Sequence, residues 1–156
     1  MSRIVRIPED HLILVCNSRK ALFLKNAGPV AQPELKVDAH ATFEWEPEEL
    51  MNSDRAGRRF DGGAAALSGG ARSAMELPDL ETRHLEAVAE TVLGMLSDRH
   101  RQSRLGGLLI VAPPALLGIL RRNMTRDLGG IVVGELAKDL AEMPLSDIRK
   151  SLLKVF

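Results

Sequence analysis

The first part of the chain alternates apolar runs with short polar breaks, a pattern that predicts β-strands. Residues 12–16 form the apolar run "LILVC", residues 17–20 form a polar turn, and residues 21–24 form a second apolar run. Two such runs joined by a few polar residues indicate a β-hairpin. The stretch "ELKVDAHATFEW" at residues 34–45 alternates and predicts a third strand with its apolar side chains on one face. Those apolar positions are Leu35, Val37, Ala39, Ala41 and Phe43.

Helical spacing dominates the later part of the chain. Asp79, directly after Pro78, is a good N-cap for a helix that closes within residues 99–104. The core-facing stripe of this helix consists of Leu85, Val88, Ala89, Val92 and Leu96. Residues 105–113, "LGGLLIVAP", lack polar alternation and predict a strand that is buried on both faces.

The remaining pattern predicts a helix, a strand and a final helix. "ALLGILRRNM" reads as a short helix with Leu116, Leu117, Ile119 and Leu120 inside. "GGIVVGEL" reads as a strand with Gly129-Gly130 as the preceding turn, and Leu145, Ile148, Leu152 and Val155 form the stripe of the last helix. The order β-β-β, long loop, α-β-α-β-α predicts one α/β domain over residues 1–156, with a mixed sheet. Several folds share this order, including the ribonuclease-H-like fold.

Composition narrows the classes of partner. The chain carries 21 basic and 21 acidic residues, so any contact with nucleic acid requires a local patch. Aromatic residues make up only 3% of the chain, which argues against stacking platforms for single-stranded nucleic acid. No signal peptide or membrane-spanning run is evident, so we expect a cytoplasmic protein without a membrane partner. The single cysteine, Cys16, lies in an apolar run and is expected to be a buried structural thiol.

The usual signatures of enzymes are missing. The four histidines, His11, His40, His84 and His100, have no ligand spacing for zinc. A two-metal nuclease needs a carboxylate on the first strand, whereas the nearest acids downstream are Asp38, Glu44 and Asp54. No phosphate-binding loop and no Gly-x-Ser-x-Gly elbow occurs. The sequence therefore favours a non-enzymatic protein with no catalytic residue, metal or cofactor. The alternative is an enzyme, either a nuclease that depends on Asp38 or Asp54 or a hydrolase.

Residues 52–78 have neither strand nor helix periodicity, and a loop of this length is either disordered or functional. Arginines supply forked donors for phosphate or carboxylate, and glycines permit close backbone approach. The candidate binding residues are Arg55, Gly57, Arg58, Arg59, Phe60, Gly69, Gly70 and Arg72. Phe60 either anchors a partner or pins the loop to the core, and the arginines either bind a ligand or pair with Asp54 and Asp61. Phosphate contact would be stronger if Arg99, Arg101 and Arg104 also converged on the loop.

Four motifs resemble a known family. "AGRRFD" (56–61), "ARSAME" (71–76), "LIVAPPALLGILR" (109–121) and "GELAKDL" (134–140) occur in the order found in bacterial host attachment proteins, described as required for attachment to host cells. The family is similar, more remotely, to the middle domain of archaeal and eukaryotic class I release factors. That resemblance implies a ribonuclease-H-like α/β fold.

In the release factors, a Gly-Gly-Gln loop precedes a long helix and enters the peptidyl transferase centre of the ribosome. Here Gly69-Gly70 precede a similar helix, but Ala71 stands where the glutamine is needed, and Ala64 follows Gly62-Gly63. The resemblance therefore implies the placement of the loop and a partner such as RNA or the ribosome, without the hydrolytic activity. The alternative is a protein-interaction module that takes part in host attachment through an acidic protein partner.

Overall fold

The computed structural model describes residues 7–29, 32–44 and 77–155, which form a mixed sheet covered by helices. The strands are β1 (His11–Cys16), β2 (Lys20–Asn26), β3 (Leu35–Thr42), β4 (Gly107–Ala112) and β5 (Val132–Ala137). The helices are α1 (Leu77–Gln102), α2 (Pro114–Asn123), α3 (Arg126–Ile131) and α4 (Leu145–Val155). None of these helices is both long enough and apolar enough to cross a membrane.

The five strands form one sheet in the order β3-β2-β1-β4-β5. β1 pairs antiparallel with β2 and parallel with β4, and β5 extends the parallel part beyond β4. An antiparallel neighbour needs only a tight turn, whereas a parallel neighbour needs a crossover, which α1 and then α2 with α3 supply. The predicted α/β class with a mixed sheet is confirmed.

The sheet separates two apolar clusters. Side chains of α1, α2 and α3 pack on one face, together with Leu12, Leu14 and Phe23 from the strands. Ile148 and Leu152 of α4 pack on the other face, against Ile13, Val15 and their neighbours. β1 and β4 contribute to both clusters because successive side chains on a strand point to opposite faces.

Most of the predicted elements are confirmed. The hairpin of β1 and β2 forms with its turn after Cys16, and every residue of β4 is buried, as its unbroken apolar run predicts. The predicted stripe of α1 is buried, as are all four predicted inner positions of α2. Cys16 is fully buried, which confirms the interpretation as a structural thiol.

The single apolar face expected for β3 is wrong. Phe23 lies opposite Ala39 but Leu24 lies opposite Val37, so Asp38 is an extra residue that forms a β-bulge. The bulge reverses the alternation. Leu35 therefore packs with the α4 cluster, whereas Ala39, Ala41 and Phe43 pack with the α1 cluster.

Two helix boundaries also differ from expectation. Gly129 and Gly130 are not a turn but lie within the additional helix α3, which Thr125 caps by accepting a hydrogen bond from the Leu128 backbone N–H. The N-cap side chain offsets the poor helix propensity of the two glycines. α1 begins at Leu77, so Asp79 lies in its first turn and is not its N-cap. There its negative charge interacts favourably with the helix dipole.

Candidate functional site

The residues that the sequence singles out for binding lie outside the described ranges. Arg55, Gly57, Arg58, Arg59, Phe60, Gly69, Gly70 and Arg72 all fall between Glu44 and Leu77. The structure describes the residues on either side of the segment 45–76, which contains all of these candidate residues. Of the predicted loop 52–78, the last two residues belong to α1.

The segment leaves the sheet beside the turn of the first hairpin. The Phe43 backbone N–H donates to the Arg19 carbonyl oxygen over 2.7 Å, directly after β3 has ended. On the returning side, His84 of α1 lies 2.6 Å from the Ser18 carbonyl oxygen, measured from Nε2. A carbonyl only accepts, so the ring N–H of His84 is the donor. Both flanks of the segment are therefore fixed to the same turn.

This turn belongs to the end of the sheet at which the parallel strands finish, here called the carboxyl edge. The carboxyl edge consists of residues 17–19 after β1, Pro113 after β4 and residues 138–139 after β5. In open α/β sheets, ligands bind outside the carboxyl ends of parallel strands. The segment that carries the candidate arginines is thus attached at the end of the sheet where this fold class places its sites.

Asn17 holds the carboxyl edge together. Its side chain is 5% exposed, and its Oδ1 accepts the backbone N–H groups of Arg19 and Lys20, both over 2.9 Å. Its Nδ2 donates to Asp139 over 3.0 Å and to Glu142 over 3.4 Å. One amide therefore fixes the hairpin turn and joins it to the connection between β5 and α4. An amide suits this place because it can donate on one side and accept on the other.

Sequence reasoning missed Asn17 as a positioning residue. The available signal was a polar side chain directly after the buried run "LILVC", at the carboxyl end of a predicted central strand. Its partners, Asp139 and Glu142, lie more than a hundred residues away in the chain, and no local pattern connects them to Asn17.

The chemistry of Cys16 is suppressed by its surroundings. Burial, with a smaller contribution from the nearby Asp139 carboxylate, raises the pKa of the thiol from 9.0 to about 12. Since the thiolate is the nucleophile, a thiol held protonated at neutral pH does not attack a substrate.

The acids of the described residues do not assemble into a metal site. No group of three or more His, Cys, Asp or Glu side chains within those ranges has the geometry to hold a metal ion. Asp38, one of the two acids proposed for a nuclease, forms an ion pair with Arg99 of α1. Asp54, the other, lies outside the described ranges.

Arg99, Arg101 and Arg104 would strengthen phosphate contact if they converged on residues 52–78. They lie at the C-terminal end of α1, whereas this segment joins α1 at its N-terminal end. At 1.5 Å per residue, Arg99 is about 30 Å along the helix from Asp79. Arg99 pairs with Asp38 and stands 5.7 Å above the centre of the Phe23 ring, and Arg101 pairs with Asp98. Arg104 follows the end of α1 and is exposed. Arg99 and Arg101 therefore make contacts at the C-terminal end of α1, and none of the three arginines lies at its N-terminal end.

The mixed sheet, its helical cover and the carboxyl edge define an α/β protein, and this architecture is consistent with a release-factor-like α/β fold. A family profile described as bacterial archaeo-eukaryotic release factor family 12 matches residues 10–152. The chain belongs to this family. The match spans the 45–76 segment as well as both of its flanks. No curated protein matches the chain, and the host attachment name stays a prediction.

Proposed function

We propose that this protein is a non-enzymatic member of the release-factor-like family that contacts RNA on the ribosome through residues 52–78. The observation that carries the proposal is the family match over residues 10–152, which contains the whole segment. Release factors act at the ribosome, and the segment occupies the same place in the order of elements as their functional loop.

The composition of the segment supports a phosphate ligand. Arg55, Arg58, Arg59 and Arg72 provide four guanidinium groups, each able to form paired hydrogen bonds with a phosphate. Neighbouring glycines leave the backbone accessible for close approach. At the carboxyl edge, the exposed Arg19 adds a cation beside the point at which the segment leaves the sheet.

The sequence does not support peptide release. Peptide release by the release factors requires a glutamine after two glycines. In this chain Ala71 follows Gly69-Gly70, and Ala64 follows Gly62-Gly63. The chain has two glutamines. Gln32 lies between β2 and β3, and Gln102 is the last residue of α1. Neither lies on the segment, so we propose binding without hydrolysis.

Co-sedimentation with ribosomes at low and moderate salt tests this proposal. We expect salt-sensitive binding of the wild-type protein, because neutralised phosphates release counterions. Replacing Arg55, Arg58, Arg59 and Arg72 with alanine should abolish binding. A control variant removes four exposed cations elsewhere, Lys36, Arg104, Lys150 and Lys154, and should bind like the wild type.

Unchanged affinity and salt dependence in the four-arginine variant would refute the proposal. Capture of an acidic protein that survives nuclease treatment would replace RNA with a protein partner, and the host attachment phenotype would then act through that partner. Metal-dependent RNA cleavage that is lost on mutating Asp38 or Asp54 would restore the nuclease hypothesis.

A further inference from the structure

The connection between α1 and β4, residues 103–106, is held by a histidine side chain. The backbone N–H of Leu105 donates to Nδ1 of His100 over 3.1 Å. Leu105 is buried and packs with the α1 cluster, whereas His100 is half-buried in the last turn of α1. The imidazole of His100 therefore fixes the chain at the point where it leaves α1 and turns toward β4.

This hydrogen bond requires a neutral ring at His100. A backbone N–H only donates, so Nδ1 presents its lone pair and the ring hydrogen lies on Nε2. In the imidazolium form both ring nitrogens carry hydrogens, and two donors would face each other at 3.1 Å. Protonation of His100 and its contact with Leu105 therefore exclude each other.

The charges around His100 do not compensate a protonated ring. The charged side chains that contact the end of α1 or the connection, or belong to them, are Asp98, Arg99, Arg101, Arg104, Asp38 of β3, and Asp10 with His11 before and in β1. Each of the three acids in this set already pairs with another member of it. Arg104 is exposed and adds positive charge, so a cation at His100 has no counter-ion within this set.

Two other histidines of the described residues respond to acid in the opposite way. Nδ1 of His11 lies 2.9 Å from the Asp10 carboxylate, and this contact becomes an ion pair when His11 is protonated. His84, near the other end of α1, donates to the Ser18 carbonyl oxygen, and an imidazolium still donates. Of these three contacts, protonation breaks the one at His100.

We propose that the contact between His100 and Leu105 is a pH-sensitive switch that releases the connection between α1 and β4 in mild acid. Histidine is the side chain whose unperturbed charge changes between about pH 5 and 8. The switch acts by local opening, in which water replaces His100 as the partner of the Leu105 N–H while the sheet stays folded. It involves no residue of the segment 45–76 and is independent of the proposed function.

Hydrogen exchange of backbone amides, followed by nuclear magnetic resonance of the full-length protein at pH 7.5 and pH 5.5, tests the switch. The reporter is the protection factor of the Leu105 amide, which corrects for the pH dependence of exchange in an unstructured chain. We expect protection to fall by up to about tenfold for each pH unit, because opening takes up one proton. The amides of β1 that pair with β4 should keep their protection over the same range.

Three variants identify the group that titrates. His100→Gln offers an oxygen acceptor that does not titrate, and His100→Ala offers none, so the protection of Leu105 should be independent of pH in both. His40→Gln replaces an exposed histidine of β3 and should keep the pH response of the wild type.

A fall in protection that is confined to Leu105 and its neighbours, and that is absent from His100→Gln and His100→Ala, supports the switch. Equal protection of Leu105 at the two pH values in the wild type overturns it, and so does the same fall in the His100 variants. A parallel fall in the amides of β1 also overturns it, in favour of general acid unfolding. The side-chain ¹⁵N signals of the wild type give a second measurement that needs no variant, since a neutral His100 with its hydrogen on Nδ1 would contradict the proposal.

Discussion

At the scale of single residues, the burial of Cys16 predicts a loss of stability at alkaline pH. The pKa of the folded thiol is raised to about 12, whereas the reference value is 9.0. Between these values the unfolded chain loses the proton and the folded chain keeps it, so the free energy of unfolding falls as pH rises. At pH 10 the expected loss is about 1.4 kcal/mol.

Urea unfolding at pH 8 and pH 10 measures this effect. We expect the wild-type protein to lose about 1.4 kcal/mol more than Cys16→Ala over this range. The chain has no tyrosine, so no phenol titrates in the same interval. Equal losses in the two proteins would show that the folded thiol ionises as readily as an unfolded one.

Asn17 gives a second prediction at this scale. In Asn17→Asp, an oxygen replaces the Nδ2 group that donates to Asp139 and Glu142, so like charges face each other. The oxygen that accepts from Arg19 and Lys20 is retained. We expect a loss of about 1–3 kcal/mol in the free energy of unfolding at pH 7, measured by urea titration.

A second substitution that exchanges the amide and the carboxylate between positions 17 and 139 is the control for that experiment. Adding Asp139→Asn to the Asn17→Asp variant restores one donor opposite one acceptor and should recover part of the stability. Magnesium should stabilise the single variant selectively, because three carboxylates would then converge on one point. If the single variant is as stable as the wild type, Asn17 does not hold the carboxyl edge together.

At the scale of elements, two glycines predict opposite effects of the same substitution. Gly94 lies in α1 with open space where a Cβ would be, so Gly94→Ala should stabilise the protein by about 0.5–1 kcal/mol. At Gly107, the first residue of β4, a Cβ would overlap the His11 ring on the neighbouring strand. Gly107→Ala should therefore destabilise, by about 1–3 kcal/mol.

Thermal or urea unfolding of both alanine variants checks the signs. Combining Gly107→Ala with His11→Ala removes the overlap and should cost less than the sum of the two single substitutions. If the cost of the double substitution equals the sum of the two single costs, overlap with the His11 ring is not the reason that residue 107 is a glycine.

The edges of the sheet show what local patterns cannot predict. Asp38 on β3 and Val133 on β5 are both extra residues in their ladders, and both strands are edges of the sheet. A bulge depends on the register between two strands, which the spacing of apolar residues within one strand does not contain. This explains why β4, whose burial follows from its own composition, was predicted, whereas the face exchange in β3 was not. Bulges at edges also discourage pairing with other chains.

At the scale of the whole molecule, the fold was more predictable than the site. Strands and helices follow from apolar periodicity, and their order limits the possible topologies. The carboxyl edge depends on Asn17 meeting Asp139 and Glu142, which lie more than a hundred residues away in the chain. Such contacts join distant parts of the chain, so a single sequence does not reveal them.

The two clusters share one sheet, and this predicts that the described core unfolds as one unit. Ile148 of α4 is fully buried on one face, and Cys16 is fully buried on the other. Ile148→Ala should lower the free energy of unfolding by about 2–5 kcal/mol. Cys16 packs against the helices on the opposite face. If unfolding is cooperative, the free energy needed to expose Cys16 should nevertheless fall by the same amount as the free energy of unfolding.

The rate of thiol labelling at pH 8 under native conditions measures that coupling. A loss of 2 kcal/mol corresponds to labelling that is about 30-fold faster, and the increase should match the value from urea titration. Lys154→Ala changes an exposed residue of the same helix and should leave labelling unchanged. Unchanged labelling in Ile148→Ala, despite a lower urea midpoint, would show that α4 detaches while the helix-covered face stays folded.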